Sequence, residues 1–194
     1  MVARPADLAQ VAEHTWLRPG ETFERIFERR PGFLVSTVAG RTSVPHEPPG
    51  PVPRCTQEVS DSYLRPSELV TEHGYLGDEW VHDHGVRGWA TASRAEDAAA
   101  RVADLLTAGN GYAWLVATAQ RIAVVIPARY TDVPPDRLPP PAPVRGLETS
   151  LVTWWEAPPS VVRGVRDELL GRTFSGAPFA RVDFTDGSSL LLRQ

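Results

Sequence analysis

The chain has 194 residues with 24 acidic and 20 basic side chains, a net charge of −4, and arginine at every basic position. An acidic chain has too few cations to neutralise a row of phosphates, so an electrostatic grip on DNA, RNA or anionic lipid is excluded as its main business. Its length suits one domain with its own core, or a small domain with extensions, and its richness in Ala, Arg, Gly and Pro fits a GC-rich bacterial gene.

The N-terminus, MVARPADLAQVAEHTW, carries Asp7 and Glu13 and no continuous apolar run, so it does not read as a signal peptide. No stretch of the chain approaches the ~20 apolar residues of a membrane span. Residues 5–14 predict a short helix, with Pro5 in its first turn and Leu8, Val11 and Ala12 on one face. In Glu21–Arg30, Phe23, Ile26 and Phe27 have helical spacing and Glu21 and Arg25 form an i,i+4 pair, which predicts a second helix. Phe33–Val38 reads as a strand between Gly32 and Gly40. Residues 41–62 then form a long irregular stretch with a proline cluster from Pro45 to Pro53, the kind of loop that is usually functional or mobile. Cys55, the lone cysteine, lies within this stretch, two residues past Pro53. It allows no internal disulfide and no cysteine metal cluster, which points to a reducing cytoplasm.

Pro66–His73 predicts a helical turn or two. Gly74–Gly88 is glycine-rich and holds two of the five histidines, His82 and His84, with a third, His73, immediately before it. Ser93–Ala108 is the best helix pattern in the chain. Ser93 and Glu96 have capping-box spacing, and Ala98, Val102, Leu105 and Leu106 form an apolar stripe. Arg94, Asp97, Arg101 and Asp104 fall on the opposite face, which predicts that they stay in water. Gly109 supplies the stop. Trp114–Thr118 and Ile122–Ile126 are two apolar, β-branched runs that read as a hairpin. A second proline-rich loop covers 127–144, and its PPPAP run at 139–143 suits a polyproline helix or a plain stiff connection. Leu151–Glu156 predicts a strand in which Trp154 and Trp155 face opposite sides. Ser160–Leu169 reads as a short helix or irregular turn. Residues 179–193 close the chain with a hairpin. Its Asp186-Gly187 step predicts a two-residue turn, with Ala180, Val182 and Phe184 on the core face.

Several short motifs in order give this chain a resemblance. They are Arg18-Pro19-Gly20-Glu21 before the first strand, Thr118-Ala119-Gln120-Arg121 in the first hairpin, Trp155-Glu156-Ala157-Pro158 at a strand exit, and Phe184-Thr185-Asp186-Gly187-Ser188 in the last hairpin. The pattern resembles bacterial pleckstrin-homology-like (PH-like) domains, mainly over residues 90–194. The resemblance implies an α+β fold: an antiparallel PH-like β-sandwich or partly open barrel, with a packed helix at 93–108 and an irregular N-terminal extension. It divides the chain into an extension at 1–90 and a β-domain at 91–194, or else one integrated domain. PH-like domains usually end in a helix that closes the sheet opening. Here the 93–108 helix, the N-terminal part or a second chain would have to cover it.

For function, the resemblance implies a non-enzymatic cytoplasmic interaction module with a protein partner, no cofactor, no nucleic acid, and a possible homodimeric state. Trp80, Trp89, Thr118, Arg121 and Trp155 are its candidate contact residues. Thr118 and Arg121 flank a hairpin turn, where turn chemistry and surface charge would also account for them. The alternative is a small metal-dependent enzyme built on the loop 72–84, with His73, His82 and His84 as ligands among Glu72, Asp78, Glu79 and Asp83. Imidazoles and carboxylates are what zinc or iron requires, although a solvated loop gathers the same residues. No G-x-S-x-G elbow is present.

Overall fold

The computed structural model describes residues 5–27, 32–57, 65–138, 140, 149–171 and 176–194. The elements are α1 (Pro5–Thr15), β1 (Phe23–Ile26), β2 (Phe33–Val38), β3 (Arg41–Ser43), α2 (Glu68–Thr71), β4 (Val86–Ala92), α3 (Ala98–Ala108), β5 (Trp114–Thr118), β6 (Ile122–Pro127), β7 (Leu151–Ala157), β8 (Val162–Leu170), β9 (Ala177–Phe184) and β10 (Ser189–Arg193). Two sheets organise them. One has four antiparallel strands in the order β1-β5-β6-β7, and the other has six in the order β3-β2-β4-β10-β9-β8. All pairings are antiparallel except β2 with β4. The architecture is α+β with two mostly antiparallel sheets, few helices and no closed barrel among the described residues.

The main core lies between the sheets. Leu115, Ile122, Val124 and Ile126 meet Ala180, Val182, Phe184 and Leu190 there, and α3 adds Ala98, Val102, Leu105 and Leu106. The predicted stripe is therefore the buried one. The alternate residues of β5 and β6, Trp114, Val116, Ala123 and Val125, face α1 through Leu8, Val11 and Ala12. Both faces of β6 are covered, which is why its sequence is a continuous apolar run and not an alternating one. A third cluster, Val35, Trp80, Val81, Val86 and Phe179, covers the outer face of the six-stranded sheet.

The N-terminal half is part of the same fold. β1 extends the four-stranded sheet, and β2, β3 and β4 supply half of the other. Residues 1–90 and 91–194 therefore both contribute strands to both sheets.

Four local expectations change. Residues 23–26 form a strand, because pairing with β5 satisfies their backbone and outweighs a weak helical spacing; residues 28–31 lie outside the described residues. The 162–170 segment is also a strand, paired along β9. Val86–Ala92 forms a central strand that its sequence hides, since Gly88 breaks the pattern. A Cβ at Gly88 would lie 2.4 Å from the Leu191 carbonyl oxygen, so only glycine fits there. The 184–188 turn has three loop residues. The Gly187 N–H donates to the Phe184 carbonyl, the Phe184 N–H donates to the Ser188 carbonyl, and Gly187 takes φ +87°. The predicted core face of β9 nevertheless holds, with Ala180, Val182 and Phe184 all buried.

The start of α3 differs as well. The helix begins at Ala98 and not at Ser93. The Asp97 carboxylate accepts from the Ser93 and Arg94 N–H groups. The first helical N–H groups are satisfied from the distant β9–β10 turn: Ala98 donates to Asp186 Oδ2 at 2.6 Å and Ala99 to Ser188 Oγ at 3.0 Å. The turn and the helix cap are one structure.

Candidate functional site

Arg121 sits at the β5–β6 turn, and the fold closes over it. Its Nε donates to Glu21 Oε1 and its Nη2 to Glu21 Oε2, both at 3.0 Å. Nη2 also donates to the Trp16 carbonyl, and Nη1 donates to Glu156 Oε2 at 2.5 Å. The guanidinium lies 4.0 Å from the centroid of the Trp16 ring. Thr118 donates its hydroxyl to Glu21 Oε1 at 2.5 Å, and Glu21 also accepts from the Arg18 N–H. Burial pushes the Glu21 carboxyl up, but its hydrogen bonds from Arg121, Arg18 and Thr118 outweigh this and hold it below the usual carboxylate range. The Arg121 hydrogen bond also holds Glu156 low. Thr118 and Arg121 are buried. Thr118 also serves the turn, its Oγ1 accepting from the Gln120 and Arg121 N–H groups, but Arg121 is not a surface charge: the two residues close an ionic lock that ties α1 and the 18–21 turn to the first sheet.

A second buried polar chain joins β2, the loop after β3, and α3. The Ser36 Oγ lies 2.6 Å from His46 Nδ1, and His46 Nε2 lies 2.7 Å from Asp104 Oδ1. A carboxylate can only accept, so Nε2 carries the proton donated to Asp104; in the neutral ring, Nδ1 then accepts from the Ser36 hydroxyl. All three residues are buried. Asp104, expected in water, is instead the anchor of the chain. Residues so far apart in sequence give no motif, and only the fold reveals them.

Beside this chain the proline-rich loop and α3 frame two depressions. One, of about 320 Å³, is lined by Ser36, Arg41, His46 and Asp104 among others. The larger, of about 560 Å³, runs between Pro49–Pro53 on one side and Trp154, Trp155 and Leu105 on the other, with Glu96, Arg101 and Asp104 at its polar positions. Both tryptophans line it because β7 carries a bulge. Val124 pairs with Trp155 and Val125 with Thr153, so Trp154 is an extra residue. The bulge cancels the strict alternation that predicted opposite faces, and both rings pack against the main core.

The other candidate residues lie elsewhere. Trp80 is buried against Phe179 and Trp89, with ring centroids 5.4 and 4.8 Å away. Trp89 is half-buried and donates its Nε1–H to Thr37 Oγ1. His73 is exposed and stacks on Tyr75. His82 lies half-buried, 3.7 Å from Glu79, and His84 is exposed. Among the described residues, no three His, Cys, Asp or Glu side chains converge as a metal ion requires, so the fold does not assemble these histidines into a ligand set. No described helix is long and apolar enough to cross a membrane. Compared with protein-family models, curated proteins and solved structures, the chain gives no match.

Proposed function

We propose that this chain is a non-enzymatic interaction module of PH-like type, acting in the cytoplasm, that docks an extended segment of a partner protein in the groove between the 49–53 strap and Trp154–Trp155. The observation that carries this reading is the groove itself. It is open, within the ~300–1,000 Å³ range of binding sites, and walled by rigid apolar rings. Tryptophan and proline walls favour an extended peptide, and its rim carries both signs of charge, which suits a peptide better than a polyanion. The two sheets with α3 packed against both support the PH-like resemblance, with α3 covering apolar surface between the sheets. Photo-crosslinking from position 154 in a native lysate tests the reading. The expected result is a discrete partner peptide whose capture is lost in Trp155→Ala at unchanged secondary structure. Equal capture by wild type and Trp155→Ala refutes it.

One observation favours a second reading, a serine hydrolase: the Ser36–His46–Asp104 chain has the hydrogen-bond order of a nucleophile, base and orienting carboxylate. Ser36 lies in mid-strand, however, and is only 2% exposed. A fluorophosphonate probe decides the matter. Labelling of Ser36 that is abolished in His46→Ala supports hydrolysis; an unlabelled Ser36 removes it.

A further inference from the structure

Two carboxylates in the groove between the 49–53 strap and Trp154–Trp155 have no cation. Asp104 is only 8% exposed, yet among the described residues its carboxylate accepts one hydrogen bond, from His46 Nε2 to Oδ1. A carboxylate has about four acceptor sites. Asp104 lines both depressions, so with Oδ1 taken by His46 its Oδ2 is the oxygen left to them. A buried carboxylate short of donors is costly, which marks Oδ2 as a place for one. Glu96, just before α3, lines the same groove, is exposed and makes no ion pair among the described residues. Arg101, one turn before Asp104, is exposed and pairs with neither acid.

The ionic lock shows what such groups hold. There the Arg121 guanidinium lies 4.0 Å from the centroid of the Trp16 ring while it donates to Glu21 and Glu156. The groove gathers the same kinds of group, two indole rings and two carboxylates, without the guanidinium. A guanidinium serves both kinds at once, its flat face on a ring and its N–H groups on a carboxylate. An ammonium reaches the carboxylate only as a point charge. An acidic side chain would meet Asp104 and Glu96 with like charge, and Arg101 alone would have to hold it.

We infer that the groove takes an arginine side chain of the docked segment, its guanidinium donating to Asp104 and lying against the Trp154–Trp155 rings. The inference rests on the peptide-docking reading above and names the residue that the segment must carry.

Titration of the full chain with N-acetyl-arginine amide, followed through the indole N–H resonances of Trp154 and Trp155, tests it. Saturable shifts with a Kd on the order of 1–10 mM are expected. N-acetyl-citrulline amide, uncharged and of nearly the same shape, should bind at least about tenfold more weakly. Asp104→Asn keeps an acceptor for His46 but removes the charge, and should weaken the arginine amide at least about tenfold. Glu96→Gln should weaken it less, and Arg101→Gln, which removes a like charge, should tighten it. If Asp104→Asn fails to fold, these two exposed positions still give the sign. No saturable shift overturns the inference, as does equal binding of the citrulline amide. So does the reverse order, in which Arg101→Gln weakens and Glu96→Gln tightens N-acetyl-glutamate amide. A peptide crosslinked at position 154 that contains no arginine overturns the arginine site and leaves the docking reading standing. Equal lysate capture by wild type and Trp155→Ala removes the docking reading, and saturable, charge-dependent arginine binding then still supports the site.

Discussion

Replacing Arg121 with Met removes the centre of the ionic lock while keeping most of its volume. In the native protein, Arg121 is 6% exposed and donates four hydrogen bonds, two to Glu21 and one each to Glu156 and the Trp16 carbonyl. Glu156 lies nearer the surface and can recover water. Glu21 cannot, because it is 5% exposed and keeps only the Arg18 N–H and the Thr118 hydroxyl. The substitution therefore leaves a buried carboxylate without its counter-charge, a defect that costs about 3–5 kcal/mol. For a chain of this size, that lowers the melting temperature by roughly 6–20 °C. Adding Glu21→Gln should recover part of the loss, since the stranded charge is gone.

The pH dependence sharpens the test. Glu21 has its folded-state pKa below the ordinary 4.5, so its contribution is present above that value and is lost as pH falls through the folded value. In Arg121→Met the arginine bonds that lower Glu21 are absent, burial pushes its pKa up, and the carboxyl protonates without penalty. The gap between wild type and variant should therefore be widest near neutrality and shrink as pH falls from the variant's raised Glu21 pKa, above the ordinary 4.5, to the wild type's lowered one. Thermal melts from neutral to acid pH measure it. A gap under about 1 kcal/mol at neutral pH, the range of an exposed ion pair, would refute the lock; so would a gap that widens in acid.

Two further outcomes follow from the core and the helix cap. Asp186→Ala should destabilise by about 1–2 kcal/mol, because Ala98 loses its acceptor at the start of α3, whereas Ser93→Ala should stay within about 0.5 kcal/mol; chemical denaturation separates them, and equal costs would contradict capping from the turn. Leu105→Ala should cost about 2–5 kcal/mol, since the side chain fills the space between the sheets; a near-neutral result would mean that α3 is not seated in the core.

Elements whose burial is local were legible in the sequence. α1, β2, the β5–β6 hairpin and the α3 stripe each carry a period or a run that one neighbouring surface explains. What escaped depends on partners far along the chain. β1 is a strand because β5 pairs with it, and β4 because β10 and β2 flank it. Asp104 and Asp97 read as solvent-facing by helical position, yet each is buried on an acceptor role: Asp104 toward His46, Asp97 toward two backbone N–H groups. Nothing in a helical wheel separates a solvated aspartate from one that anchors a loop 58 residues away. The bulge at Trp154 is likewise a property of pairing and not of composition.

The short motifs behind the PH-like resemblance meet a single physical demand. Glu21 of the Arg-Pro-Gly-Glu step, Thr118 and Arg121 of the first hairpin, and Glu156 of the strand exit all belong to the same lock. Asp186 and Ser188 of the last hairpin cap α3. Charged residues at such positions hold turns and strand ends together, so a resemblance built on them speaks for scaffold. The groove draws on other residues: Trp154 through a bulge, the 49–53 strap through prolines, and α3 through Arg101 and Leu105. His46 connects the two levels, since it pins the root of the strap to β2 and α3 at once. Scaffold and groove are thus coupled at one buried imidazole, and the shape offered to a partner depends on how firmly that ring is held.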